Sequence, residues 1–367
     1  MILDNVIDTT ENCRYCLMCR HVCPVGHVTR KETLTPHGWG LTIASINRGM
    51  LDLNEESTGV LYSCADCGTC RANCVTDQPL PSAIAAMRER IVSRSLEPKV
   101  VKDVCSMLEQ YGNPYEETAV NSPDGAGDTA LFVGDDARYL DDETIPSVLK
   151  LLAAVGIKPA LVGVGRNNGY LAASLGLHDV ARTLISETHA ELEALSASTL
   201  LVLSPGDYYA FGQMSDERLG MQLPPNIRMA EVSVLLAEHA AGSELKFRPQ
   251  PGGPPFAYID PTHSVRVMTR FEAPRDLLRA VKQRPLVELF WRRERAHPCG
   301  NVALQFTEPH ISNHLTYARL GDARERGAQV LFTEDPGTLF HLRKHAQRFG
   351  LEIRNLYTLL ANQLADQ

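Results

Sequence analysis

The chain has 367 residues, a formal net charge of −8 at pH 7 and an apolar content of 44%. Its length exceeds what one hydrophobic core usually organises, so we expect two or three domains. The acidic balance, without a basic block, excludes a nucleic-acid-binding surface. The first residues lack the basic and apolar regions of a signal peptide, and no apolar stretch approaches the ~18 residues of a membrane helix. We therefore expect a cytoplasmic protein that would sit at the inner membrane only peripherally, through a partner.

Eight of the ten cysteines lie in two motifs near the start of the chain. The first motif is Cys13-x-x-Cys16-x-x-Cys19-x-x-x-Cys23-Pro24, and the spacing returns, without the proline, at Cys64, Cys67, Cys70 and Cys74. In a reducing cytosol such a density of thiols indicates metal binding rather than disulfides. Thiolates are soft ligands that suit iron–sulfur clusters or zinc.

The spacing of both motifs is the bacterial two-cluster pattern, in which three thiolates bind one cubane and the fourth binds the other. We therefore predict two [4Fe–4S] clusters. The predicted ligands of cluster 1 are Cys13, Cys16, Cys19 and Cys74, and those of cluster 2 are Cys64, Cys67, Cys70 and Cys23. The alternative is two structural zinc sites, which are usually built from Cys-x-x-Cys pairs rather than from runs of four.

Helices are predicted around and after these motifs. In the stretch between them, a helix is predicted at Leu41–Arg48, after Pro36-His37-Gly38-Trp39-Gly40. Pro81 begins a second helix, Ser82–Ser93. A third, Lys99–Tyr111, ends near Gly112. A polar linker over residues 116–128 follows this first part, which spans residues 1–112.

The rest of the chain alternates strand and helix signals, which is typical of a parallel sheet covered on both faces. Residues 129–245 and 256–367 form two such units, separated by the Pro- and Gly-rich stretch at 248–255. The predicted strands are 130–133, 160–162, 200–203, 256–259, 286–290, 330–333 and 352–356. The predicted helices are 145–155, 180–195, 274–281, 310–326 and 339–349.

The two α/β units read as copies of one repeat. Asn168 precedes Ser204 by 36 positions, and Cys299 precedes Asp335 by the same 36 positions. Each of these residues lies in a turn that follows a predicted strand, so an internal repeat explains the match better than chance does.

With these motifs the chain resembles the iron–sulfur subunits of glycolate oxidase, anaerobic glycerol-3-phosphate dehydrogenase and heterodisulfide reductase (the D type). The resemblance includes Gly112-Asn113-Pro114, Asp260-Pro261-Thr262-His263, Ala273–Leu278 and Glu294–Gly300. It implies an α-helical ferredoxin domain followed by two tandem α/β (parallel-sheet) CCG-like domains.

The cysteines that the family carries in its CCG repeats are almost all replaced here. The corresponding positions are Asp135, Asn167, Asn168, Ser204 and Asp207 in the first copy and Thr262, Pro298, Cys299, Asp335 and Thr338 in the second. One thiolate cannot hold an iron–sulfur cluster, and oxygen ligands suit that metal poorly. We therefore expect no third metal centre and no thiol–disulfide chemistry in the repeats.

Several other features carry weaker hypotheses. Asp135, Asp207 and Asp335 could form a hard-metal site, but solvated turn residues are the better interpretation. The glycines at 163, 165 and 169 are one residue too widely spaced for a dinucleotide fingerprint. His21 could tune a cluster, whereas His27 and His37 are more typical of surface or capping residues. Cys105 and Cys299 are expected to be small buried residues. The basic run at 292–295 is a solvated loop or a docking patch.

No nucleophile–base pattern is present, so we predict no catalytic residues. The predicted function is that of an electron-transfer subunit that relays single electrons between a partner flavoprotein dehydrogenase and a downstream carrier. By the resemblance, the partner is an FAD-dependent dehydrogenase subunit, an electron-transfer flavoprotein or a membrane quinone-reducing protein. FAD or FMN is expected on that partner and not on this chain. The alternatives are a heterodisulfide-reductase-like catalytic subunit and a scaffold subunit of a flavoprotein complex.

Overall fold

A computed structural model of the chain describes residues 10, 12–120, 124–263 and 271–365. The start of the predicted first domain and the centre of the predicted linker, residues 121–123, lie outside the described residues. None of the helices in these ranges is long and apolar enough to cross a membrane.

The N-terminal region is helical. Pro24, Pro36 and Pro81 each stand in the first turn of a helix, where a missing N–H costs nothing. The helices here are α1 (Met18–Val22), α2 (Pro24–Thr29), α3 (Pro36–Asn47), α4 (Glu55–Tyr62), α5 (Thr69–Ala72), α6 (Leu80–Ser93) and α7 (Lys99–Tyr111), with a 3₁₀ turn at Glu32–Leu34.

The helices predicted in this region are confirmed with small shifts in their bounds. Helix α7 has the predicted bounds, because Gly112 adopts a left-handed conformation (φ 77°) that ends the helix. The helix predicted at Leu41–Arg48 begins earlier, at Pro36, since Thr35 caps it by accepting from the Gly38 N–H.

The first parallel sheet has strand order β2-β1-β3-β4. Alternate residues of β1 enter different cores: Ala130 and Phe132 face the core shared with the N-terminal helices, and Leu131 and Val133 face the core shared with the second sheet. The elements of this unit are β1 (Thr129–Val133), α8 (Gly134–Tyr139), α9 (Thr144–Ala154), β2 (Ala160–Val164), α10 (Tyr170–Leu175), α11 (His178–Ala194), β3 (Thr199–Val202), α12 (Pro205–Tyr209), a π-helix (Ala210–Leu219), β4 (Arg228–Glu231) and α13 (Val232–Ala241).

The second parallel sheet has strand order β5-β6-β7. Its elements are β5 (Phe256–Tyr258), α14 (Ala273–Lys282), a 3₁₀ turn (Arg293–Arg295), α15 (Leu304–Thr307), α16 (Pro309–Glu325), β6 (Val330–Thr333), α17 (Pro336–Ala346), a 3₁₀ turn (Gln347–Phe349), β7 (Glu352–Asn355) and α18 (Leu356–Asn362).

The strand predicted at 286–290 is wrong, because only a single parallel bridge joins Val287 to Ala257. The N–H groups of Phe290 and Trp291 instead donate to the carboxylate of Asp322, each at 3.0 Å, which ends the ladder. The Val287 bridge lies beside β5, at the position that β2 takes beside β1 in the first sheet. If the bridge is counted as an outer strand, the two sheets have the same strand order. The strand Arg228–Glu231 and the helices 205–219, 232–241 and 356–362 were not predicted, since their patterns are short or interrupted.

The N-terminal helices join the first α/β unit through a close contact between α6 and α10. Gly176 (φ 86°) follows α10, and a Cβ at this position would lie 2.4 Å from the carbonyl carbon of Arg88. Around this contact the Tyr62 hydroxyl donates to the Leu175 carbonyl at 3.0 Å and Arg88 donates to the Ser174 carbonyl at 2.6 Å. A residue without a side chain is therefore needed where the two regions meet.

Substitution Gly176→Ala is expected to destabilise the protein by roughly 2–4 kcal/mol. It combines a left-handed non-glycine residue with overpacking against the α6 backbone. The measurement is urea denaturation followed by circular dichroism. The matched control is Gly327→Ala, which has a similar φ of 84° but open space around the new methyl group and should cost only roughly 1–2 kcal/mol. Equal losses in the two variants would contradict the close contact.

Candidate iron–sulfur site

The loops of the two cysteine motifs have the same backbone conformation. The second residue after the first cysteine is left-handed in both, as Tyr15 (φ 51°) and Asp66 (φ 48°). The fourth residue after the first cysteine is also left-handed in both loops, as Leu17 (φ 64°) and Gly68 (φ 82°). In both loops the N–H of the second residue points at the first sulfur, at 3.4 Å for Cys13 and 3.3 Å for Cys64. A non-glycine residue is rarely left-handed, so these loops are built to turn several sulfurs toward one centre.

The structure brings together the first three cysteines of motif one and the last cysteine of motif two. Burial, together with the neighbouring thiols of Cys13, Cys74 and Cys16, raises the pKa of Cys19 to about 11. The same four thiols line one cavity of about 60 Å³. We call this group cage 1; its members are Cys13, Cys16, Cys19 and Cys74.

Cage 1 lies at the protein surface. Cys16 is exposed and its three companions are half-buried. Burial opposes ionisation of Cys74, but hydrogen bonds from Thr76 and from the Gln78 N–H lower its pKa. Exposed Tyr15 and Met18 flank the loop, so a partner could approach this cage directly.

The remaining four motif cysteines form a second group, cage 2, whose members are Cys23, Cys64, Cys67 and Cys70. Burial, together with other thiols of the cage, raises the pKa values of Cys23, Cys64 and Cys70, that of Cys64 to about 12. The four thiols line a smaller cavity, of about 20 Å³. Cys70 also lines the cavity of cage 1, so the two cages are neighbours.

Cage 2 is enclosed by residues from both halves of the chain. The carboxylate of Asp66, between two of its cysteines, forms a buried bidentate pair with Arg218 at 2.7 and 2.8 Å. The Tyr170 hydroxyl donates to the Asp66 carbonyl at 2.7 Å. The Thr69 hydroxyl lies 3.3 Å from the Cys67 sulfur and 3.5 Å from the Ala296 carbonyl. Sequence reasoning missed Arg218, Tyr170 and Ala296, because no local pattern links them to the cysteines.

The donor sets fit an iron–sulfur group. Buried thiols whose pKa is raised stay neutral unless a metal cation compensates the thiolate charge. Each cage offers four soft donors from two separate loops, and backbone N–H groups at 3.3–3.4 Å from Cys13, Cys23, Cys64 and Cys74 would stabilise bound sulfur. In the ranges that the structure describes, no three His, Cys, Asp or Glu side chains converge as ligands of a single metal ion.

The histidines near the cages are placed differently from what the sequence suggested. His27 is half-buried and contacts the rings of Trp291 and His297, at 5.1 and 5.3 Å between centroids. Burial lowers the pKa of His297 to about 2, so its ring is neutral. His37 is half-buried beside Tyr15, and His21 is exposed with its carbonyl 2.7 Å from the His27 ring.

The two cysteines outside the cages, the glycine-rich stretch at 163–169 and the basic loop at 292–295 have structural roles. Cys105 is half-buried and packs on the main core, and Cys299 is buried 3.7 Å from the Thr262 hydroxyl. Gly163 gives room to the Phe132 ring, which a Cβ would approach to 2.2 Å, and its N–H donates to Glu191. That glycine stretch is therefore explained by packing. In the 292–295 loop, Arg292 and Arg293 pair with Glu288.

Turns of both α/β units meet around a cavity of about 240 Å³. Its lining includes Asp135, Asp136, Asn168, Asp207, Asp335 and His341. The amide of Asn167 donates to Asp135 at 2.9 Å, and the amide of Asn168 donates to Asp207 at 2.8 Å. Thr338 donates its N–H to Asp335 at 2.6 Å. Pro298 lies in the same buried stretch as Cys299.

The favoured interpretation of these aspartates as solvated turn residues is wrong. Asp135 is buried, and Asp207 and Asp335 are half-buried in the wall of the cavity. Burial raises the pKa of Asp135 to about 8 and that of Asp207 to about 7. Nothing in the local sequence signalled this, because the carboxylates come together only when the ends of strands from both sheets meet.

The raised pKa of Asp207 predicts a loss of stability with rising pH. The native carboxyl keeps its proton up to about pH 7, whereas the unfolded one releases it near pH ~3.9. Stability is therefore lost as pH rises from ~4 through 7. Asp207→Asn should lose less free energy of unfolding than the wild type between pH 5 and pH 8. Asp179→Asn, at a fully exposed side chain, is the control; wild-type behaviour in Asp207→Asn would contradict the prediction.

Comparison with known proteins agrees with the cysteine geometry. Residues 9–78 match the model of a 4Fe–4S dicluster domain. The D-type subunit of dihydromethanophenazine:CoB–CoM heterodisulfide reductase from Methanosarcina barkeri is 24% identical over 327 residues, which cover 84% of this chain and 79% of the relative. Its counterpart from Methanosarcina acetivorans is 21% identical with the same coverage. The counterpart from Methanosarcina mazei is 23% identical over 76% of this chain and 71% of the relative.

The alignments to these relatives cover 76–84% of this chain, so they extend beyond the residues 9–78 that match the dicluster domain. The dicluster match identifies the chain as a 4Fe–4S iron–sulfur protein, and the relatives indicate a role in oxidoreductase electron transport. Over most of its length the chain is similar to iron–sulfur subunits of the heterodisulfide reductase D type.

Proposed function

We propose that this chain relays single electrons through two [4Fe–4S] clusters, between a flavoprotein dehydrogenase and a downstream carrier. The observation that carries the proposal is the arrangement of cages 1 and 2. They are adjacent, one at the surface and one buried, and Cys70 lines the cavities of both. An exposed site that can exchange electrons with a partner, next to an enclosed one, is what a relay requires.

The proposed ligands of the surface cluster are the four thiolates of cage 1, and those of the buried cluster are the four thiolates of cage 2. Such clusters supply one-electron chemistry when bound. The chain itself holds the sulfurs in place: the Gly26 N–H reaches Cys23 and the Gln78 N–H reaches Cys74, both at 3.4 Å. Trp39 and three prolines line cage 2 and exclude water from it.

The partners follow from this role. We propose an FAD-dependent dehydrogenase subunit or an electron-transfer flavoprotein on one side and a membrane quinone-reducing protein on the other. FAD or FMN would then belong to the partner, and the chain would work in the cytoplasm or at the membrane surface.

The domain assignment is part of the same proposal. Residues 1–112 would form the helical ferredoxin domain, and residues 129–245 and 256–367 would form the first and second degenerate CCG repeats. The recurrence of one strand order in the two sheets supports this division. Oxygen and amide side chains at the former cysteine positions indicate that the repeats act as a scaffold.

A second candidate function is that of a catalytic subunit. The relatives are subunits of a heterodisulfide reductase, and the alignment extends over both α/β units. This candidate requires a further redox centre in the repeats, where Cys299 is the remaining thiol.

Iron content and reversible reduction test the relay. Anaerobically purified protein should contain about eight irons per chain and should show an electron paramagnetic resonance signal after dithionite that disappears on reoxidation. A clear excess of iron would favour the catalytic candidate. Protein that binds zinc and no iron, or clusters that never change oxidation state, would exclude a relay.

Serine substitutions test the assignment of ligands to the two clusters. Cys19→Ser and Cys74→Ser should alter one and the same resonance signal, because both thiolates bind the surface cluster. Cys23→Ser and Cys67→Ser should alter the other signal. Cys105→Ser, outside both cages, should change neither. If Cys74→Ser instead behaved like Cys67→Ser, the crossover of the fourth thiolates would be wrong.

A further inference from the structure

Arg88 is a fully buried cation beside cage 2. It lies on α6 with 1% of its surface exposed. Its guanidinium donates to the carbonyl of Leu61 at 2.8 and 3.1 Å, to that of Cys64 at 2.9 Å and to that of Ser174 at 2.6 Å. It also lies 5.1 Å from the centre of the Tyr62 ring. Every one of these acceptors is neutral.

The other buried arginines of the described residues lie within 4 Å of a carboxylate, the longest distance being 3.8 Å between Arg319 and Asp322. Arg166 pairs with Glu191 at 2.8 Å, Arg218 with Asp66 at 2.7 Å and Arg275 with Asp260 at 2.7 Å. No carboxylate of the described residues lies within 4 Å of Arg88. An unpaired buried charge costs several kcal/mol, so this position requires a negative group that the described part of the chain does not supply.

We propose that Arg88 is the counter-charge of the cluster in cage 2 and acts as a positioning residue that raises the reduction potential of that cluster. This inference rests on the proposed function, since it needs a cluster bound by Cys23, Cys64, Cys67 and Cys70. A thiolate-bound cubane is an anion and becomes more negative when it takes up one electron from its donor. A fixed cation next to Cys64 therefore stabilises the reduced form more than the oxidised form.

The effect should be confined to one of the two clusters. Arg14 and Arg20, the cations near cage 1, are exposed, so water and salt screen their charges. Arg88 acts from inside the protein, where screening is weak and the interaction is strong. Its hydrogen bond to the Cys64 carbonyl also fixes the loop that carries three of the four thiolates.

The test uses the full chain, purified anaerobically, with iron quantified before each redox titration followed by electron paramagnetic resonance. Arg88→Gln removes the charge but keeps a hydrogen-bond donor, and Arg88→Lys keeps the charge. Tyr62→Phe is the matched control, because it alters the same packing without altering the charge. In Arg88→Gln, the reduced-to-oxidised ratio of one cluster at a fixed potential should fall at least tenfold, or about 59 mV for one electron. The lysine and phenylalanine variants should stay near the wild type.

Each outcome either supports or overturns the role proposed for Arg88. Full iron with unchanged potentials in Arg88→Gln would overturn the inference while leaving the relay intact, whereas wild-type protein without iron would remove the relay itself. Loss of one cluster from Arg88→Gln but not from Arg88→Lys would support a role for the charge. Equal potentials in the glutamine and lysine variants, or loss of the cluster from both, would show that the side chain acts through its shape alone.

Discussion

The structure depends on the packing of the second cysteine loop against the first α/β unit, and the buried pair of Asp66 and Arg218 lies at the centre of that contact. The pair joins a residue between two cysteines to the π-helix at Ala210–Leu219. Breaking one partner would leave an uncompensated charge in the interior, which is strongly destabilising. The cage can therefore be enclosed only when both regions have folded, and the α/β unit forms part of its wall.

This contact makes the two cages unequal. Their loops are alike in spacing and in backbone conformation, yet cage 1 faces solvent and cage 2 is covered by Trp39, Asp66 and the α/β unit. Exposure and nearby charge are among the variables that set cluster potentials. Two similar motifs in different surroundings would thus give a relay two distinct potentials.

Side-chain hydrogen bonds join turns of the α/β region around its central cavity. The pairs include Asn167 with Asp135 and Asn168 with Asp207. The pairs join turns from different strands around a cavity between the sheets. These turns keep their geometry because the Asn amides and the Asp carboxylates satisfy one another.

The sequence alone determined the local features of this protein. Cysteine spacing indicated the thiol groups, and proline and glycine positions located most helix ends, because these signals act over a few residues. The outer strand of the second sheet was mispredicted, since Asp322, more than thirty residues away, binds the N–H groups that would have extended it. The tertiary structure alone decided which cage is buried, that Arg88 meets no carboxylate within the ranges the structure describes, and that four aspartates share one cavity. Those properties depend on contacts between distant segments, and no local pattern records them.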